Sequence, residues 1–176
     1  MGKTQRNALQ HTPHVLIVDG SKRPGSHFGG WSVIYMERGV LRAQWSGGIK
    51  HCKESRDAEL EAIMQAIRYA DLIEDPIVIV SDCIPAIKMI QEGNGIGWSD
   101  MNSTKEWLEH PKHDLIWVQG ETLPAQKLAH HLANTARLTI ELEETSCMPQ
   151  KHAQERKKKQ RQSVNITRNI HLYVDA

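Results

Sequence analysis

The chain has 176 residues, 39% hydrophobic and 24% charged, which is material for one globular domain of ordinary size plus some excess. Its net charge of +1 does not by itself announce a nucleic-acid or membrane partner. Cys52, Cys83 and Cys147 are widely spaced and form no C-x-x-C pair, which argues against a disulfide framework and against a cysteine zinc site.

Residues 1–13 read as a polar N-terminal extension. "MGKTQRNALQHT" lacks the apolar centre of a signal peptide, and Arg6 stands where a myristoylation signal has Ser or Thr. No window approaches the ~18 apolar residues of a membrane span. The expected location is the cytoplasm, or the nucleus of a nucleated host.

The spacing predicts strands over 14–19 and 30–38, joined by a Gly-rich turn, and a third, half-buried strand over 39–48. The first strand ends on Asp19. Asp-Gly is ordinary hairpin chemistry, because both residues tolerate positive φ, so Asp19 alone decides nothing. Leu60, Ile63, Met64, Ile67 and Ala70 recur at helical spacing and predict a helix over 55–73, with Ser55 as a candidate cap. Pro76 ends it. "IVIVSD", 77–82, reads as a strand buried on both faces that also ends on an aspartate, Asp82.

A helix over 83–93 follows, with Pro85 in its first turn, then a short helix over 100–109, a fifth strand over 114–119 and a last helix over 124–144. The order is βββαβαβα with the short helix added, a mixed five-stranded sheet flanked by helices. In such a sheet, polar groups at the ends of central strands meet in one crevice. Glu59 borders the apolar stripe of the 55–73 helix and is a candidate to join Asp19 and Asp82 there. Pairing with a base is the plain alternative. Three carboxylates are the hard oxygen ligands that Mg²⁺ or Mn²⁺ prefer. The pairs His110 and His113, and His130 and His131, lack partners at zinc-ligand spacing and read as surface histidines.

In this order, "VDGS" with "GG", "AELEAIMQAI", "VSDCIPAIKMI", and "WVQG" with "QKLAHHLANTA" resemble the successive motifs of the type 1 ribonuclease H superfamily. The resemblance spans 14–140, and "LAHHLA" is similar to the plant and retroelement-derived branch. It implies a ribonuclease H-like domain over 14–140 and leaves 141–176 as a basic C-terminal extension. Carried over position by position, it implies that Asp19, Glu59, Asp82 and His130 hold two divalent ions, Mg²⁺ or Mn²⁺. His130 stands where the family has an acid, which favours Mn²⁺.

The resemblance further places Glu121 at the family's mobile histidine, where it would assist departure of product or metal. Ser55 and Arg56 take the place of an asparagine pair that contacts nucleic acid, and Gln126 stands at a family asparagine. Gly20 and Ser21 in the first turn, Ser55 and Trp98 are the further candidates for contact with an RNA–DNA hybrid, read through its 2′-hydroxyls. The implied activity is metal-dependent cleavage of the RNA strand of such a hybrid. The alternatives are a ribonuclease H-fold module that binds without cutting, and a DNA nuclease or strand-transfer enzyme of the same superfamily. The basic run "QERKKKQRQ", 154–162, reads either as a phosphate contact or as a solubilising tail.

Overall fold

The computed structural model describes residues 12–92, 101–120 and 122–146. Its elements are β1 (His14–Lys22), β2 (Gly29–Glu37), β3 (Val40–Ile49), α1 (Ser55–Ala70), β4 (Ile77–Ser81), α2 (Ile84–Glu92), α3 (Met101–Glu109), β5 (Asp114–Trp117) and α4 (124–146). The five strands form one sheet in the order β3-β2-β1-β4-β5. β1, β2 and β3 make an antiparallel meander, while β4 joins β1 and β5 in parallel. The expected mixed sheet is therefore present.

Alternation along the strands sorts side chains onto two faces. Leu16, Val18, Val33, Ile77 and Ile79 pack against Leu60, Ile63 and Ile67 of α1, together with Ile87, Ile90 and Trp107 from the next two helices. Ile17, Ile34, Val78, Val80 and Ile116 pack against Ala129, Leu128 and Leu132 of α4. Each fully buried Leu or Ile stabilises by about 1.5–3 kcal/mol. β4 is buried along its whole length, as a strand with helices on both faces must be.

Three local expectations are corrected. β1 does not end at Asp19: it continues to Lys22, because Asp19 to Lys22 still pair with Gly29 to Ser32 of β2. Ser55 is not the cap of α1. Glu54 is, and the Asp57 carboxylate accepts the backbone N–H groups of Lys53 and Glu54 at 2.9 and 2.8 Å, in a reciprocal capping box. The helix also stops at Ala70, where Leu72 and Ile73 turn back to donate to the carbonyls of Tyr69 and Ala70.

The chain divides into two compact units, Met1–Ile140 and Glu141–Ala176. The sheet belongs to the first, and of the second only 141–146 are described. Cys52 and Cys83 are free thiols. Among the described residues no helix is long and apolar enough to cross a membrane.

Candidate active site: a carboxylate crevice

β1 and β4 pair only through Ile17↔Val80 and then part. Extending that register two residues sets Asp19 opposite Asp82, at the mouth of the gap the parting strands leave. β1 stays paired with β2 there. β4 ends at Ser81, whose carbonyl accepts the Val118 N–H at 3.0 Å and whose hydroxyl accepts the Cys83 N–H. Trp117 Nε1 donates to the Asp82 carbonyl at 3.0 Å. Gly120 lies so near that a Cβ there would stand 2.5 Å from Asp82 Oδ2.

Glu59 arrives from the other side of the sheet, on the second turn of α1. What admits it is Gly20. A Cβ on Gly20 would fall 2.3 Å from the Glu59 backbone nitrogen, so only glycine lets α1 approach β1 this closely. The three carboxylates then present ligand oxygens within 4.8 Å of one another, the one such group of metal-ligating side chains among the described residues.

Their electrostatics are those of a site built for a cation. Glu59 is 8% exposed, and its Oε2 is buried with no hydrogen-bond partner. Burial, reinforced by the charges of Asp19 and Asp82 and only partly opposed by a backbone hydrogen bond from Gly20, pushes the Glu59 carboxyl up to about 9. Burial also raises Asp19 to about 6, against the pull of the His130 ring, while Asp82 adds to the rise. The orphaned oxygen and the all-oxygen donor set fit a hard divalent ion, which Asp19, Glu59 and Asp82 would hold.

His130, on α4, is not a member of the three-acid group. Its Nδ1 lies 3.3 Å from Asp19 Oδ2, and Asn134 Nδ2 lies 2.9 Å from its Nε2. Helix α4 comes close enough because β2 is thin beneath it: Gly30 faces the Ala133 carbonyl, and the buried Ser32 hydroxyl donates to the Ala129 carbonyl at 2.7 Å.

The substrate candidates divide. Gly20 is taken up by the contact with α1. Ser21, expected at the substrate, is 7% exposed and donates its hydroxyl to Asn134 Oδ1 at 2.7 Å. Gln126, also expected there, is 7% exposed and ties the loop before α4, accepting the Leu123 N–H at 2.9 Å and donating to the Val118 carbonyl at 3.3 Å. Ser55 is exposed at the start of α1, and Arg56 is half-buried and pairs with Glu54 at 2.8 Å. Trp98 and Glu121 lie outside the described residues.

Motif reading missed Asn134 and Trp117. The first could have been found from its place one turn after His130, and the second has no signal beyond lying near Asp82 in the fold. His113 is not a plain surface histidine: its ring stacks between Trp107 and His110. A cavity of about 740 Å³ is lined by Val15, Ile17, Met36, Leu123 and Ala125, among others, and by none of the acids. Asp19 and Glu59 are buried, and Asp82 is the most exposed of the three acids.

A mixed sheet with an acid at each of two parting strands and a third on the crossing helix defines the ribonuclease H class of fold. The RNase H family model matches residues 11–136, and the chain belongs to this family of nucleases. No curated relative matches the sequence. Among solved structures, ribonuclease H1 of Halobacterium salinarum is similar at 18% identity and TM-score 0.55, over 70% of this chain and 96% of that one. A ribonuclease H1 from compost, solved in complex with an RNA/DNA hybrid, has 15% identity and TM-score 0.55, over 72% and 98%. The foamy viral protease-reverse transcriptase in complex with double-stranded DNA has 19% identity and TM-score 0.58, over 73% and 96%.

Proposed function

We propose that this protein is an endonuclease that cleaves the RNA strand of RNA–DNA hybrids, with Mg²⁺ or Mn²⁺ as cofactor. The observation that carries the proposal is the convergence of Asp19, Glu59 and Asp82 around a buried carboxylate oxygen that has no partner in the protein. A binding module has no evident use for three carboxylates facing a polyanion. Two divalent ions in such a cluster supply charge neutralisation at the phosphate and activation of a water.

The chain's own residues supply the rest. Asp19, Glu59 and Asp82 would together hold the cations, and Asp19 is the one that meets His130. His130 orients Asp19 from the α4 side. The compost enzyme's complex with an RNA/DNA hybrid supports that choice of substrate. Ser55 and Arg56, at the exposed start of α1, are the remaining candidates for contact with the backbone or 2′-hydroxyls.

The test is incubation of the full chain with labelled RNA–DNA hybrid, duplex DNA and duplex RNA in Mg²⁺ or Mn²⁺. Cleavage of the hybrid's RNA strand, leaving a 5′-phosphate, is expected with either ion and not in chelator. Asp19→Asn should lose about a thousandfold or more in rate while hybrid affinity changes little. A wild-type rate in that variant overturns the assignment. Binding without cutting in both metals replaces it with the binding module, and cutting of duplex DNA with a DNA nuclease.

A further inference from the structure

Asn134 is half-buried one turn beyond His130, and its amide stands between two polar groups. Ser21 Oγ donates to its Oδ1 at 2.7 Å, and its Nδ2 meets His130 Nε2 at 2.9 Å. His130 Nδ1 in turn lies 3.3 Å from Asp19 Oδ2. An amide nitrogen only donates and a carboxylate oxygen only accepts, so this chain of four groups has one polarity. It runs from hydroxyl to amide oxygen, from amide nitrogen to imidazole, and from imidazole to carboxylate. In that polarity Nε2 is an acceptor and the ring proton sits on Nδ1.

We propose that Asn134, held by Ser21, is a positioning residue that fixes His130 as its Nδ1–H tautomer. His130 then meets Asp19 as a hydrogen-bond donor and offers no lone pair to a metal. A histidine that ligates a metal donates its other N–H to a carboxylate, carbonyl or water. Here the other nitrogen faces a donor, the opposite arrangement. Reversing it requires the Asn134 amide to turn over and the Ser21 hydroxyl to become an acceptor. Ser21, 7% exposed on a strand paired with β2, is held beside the Asn134 amide. His130 therefore acts through Asp19, steadying the carboxylate from the helix side. Only the consequence for cleavage rests on the function proposed above.

The experiment is a long-range proton–nitrogen correlation spectrum of the metal-free full chain with ¹⁵N-labelled histidine rings. The His130 signals are assigned by their loss in His130→Gln. Wild type, with its ring uncharged, is expected to show a protonated Nδ1 and a bare Nε2. Asn134→Leu should move the proton to Nε2. Ser21→Ala should shift the population the same way and Ser21→Thr should not. A bare Nδ1 in wild type, or an unchanged ring in Asn134→Leu, overturns the proposal.

Calorimetry with Mn²⁺ alone gives an independent reading. His130→Gln should change the dissociation constant by less than about threefold, and a weakening beyond about tenfold, the scale set by disturbing a ligand's surroundings, makes His130 a ligand after all. Because the spectrum needs neither metal nor nucleic acid, its outcome separates from the assignment of function. The expected tautomer in a chain that never cuts hybrid would sink that assignment alone.

Discussion

Glu59 is the residue on which the crevice turns, because it is a buried carboxyl with an oxygen left without a partner. Its folded pKa, about 9, lies above the ordinary 4.5, so the folded chain binds a proton there more tightly than the unfolded chain does. The stability this proton brings is complete below about pH 4.5 and is lost as pH rises toward 9. Asp19, raised to about 6, adds the same sign over a lower range. Thermal melts in chelator should therefore fall from pH 6 to 9, and Glu59→Gln should flatten that slope. Mn²⁺ displaces the proton, so its stabilisation should grow with pH, reaching about 2.7 kcal/mol at a hundredfold excess over the dissociation constant. A metal effect independent of pH would remove Glu59 from the ligand set.

Residue by residue, Asp19 and Asp82 were legible because a carboxylate closing an apolar run conflicts with burial, and Glu59 because it borders the apolar stripe of a helix. Ser21 and Gln126 were not. A hydroxyl or an amide satisfies partners inside or outside the protein equally well, and only the fold reveals that their partners are Asn134, Leu123 and Val118.

At the scale of elements, the spacing of the two helix layers is set by what β1 and β2 lack. Gly30 lets α4 settle on β2, and a Cβ there would stand 2.1 Å from the Ala133 carbonyl and 2.6 Å from the Arg137 nitrogen. Both are backbone atoms that no rotamer change can clear, so Gly30→Ala should destabilise by about 3 kcal/mol, the upper end of overpacking costs. Gly25, at φ 78° with nothing near its missing Cβ, serves as the comparison. Its replacement by Ala should cost about 1 kcal/mol, from backbone strain alone. Urea unfolding of the two variants measures the difference, and the reverse ranking would mean that α4 does not depend on Gly30. Helices and strands were readable from their periods. The misplaced end of β1 came from reading Asp-Gly as a turn, whereas pairing with β2 carries the strand three residues past Asp19. Pairing across the sheet is not written in a local pattern.

For the whole molecule, a net charge of +1 conceals an uneven distribution, since the 154–162 run concentrates lysine and arginine against the single acid Glu155. If that run binds phosphate, deleting 145–176 should weaken hybrid binding and flatten its dependence on salt. The log–log slope should shrink by about 0.7–0.9 for each phosphate that the run neutralises. The metal requirement should not change. Titrations at several salt concentrations decide it, and an unchanged slope returns the run to solubilising duty.

The parting of β1 from β4 also has a bearing on how the chain comes into being. Asp19 and Asp82 face each other only once two strands far apart in sequence have paired in parallel, and Glu59 joins them only when α1 has crossed between those strands and settled over Gly20. Such distant pairings form late and slowly. During synthesis the acids emerge one after another as separate, hydrated side chains, and no short stretch of nascent polypeptide gathers them. The three-carboxylate cluster is thus completed only by the step that closes the sheet.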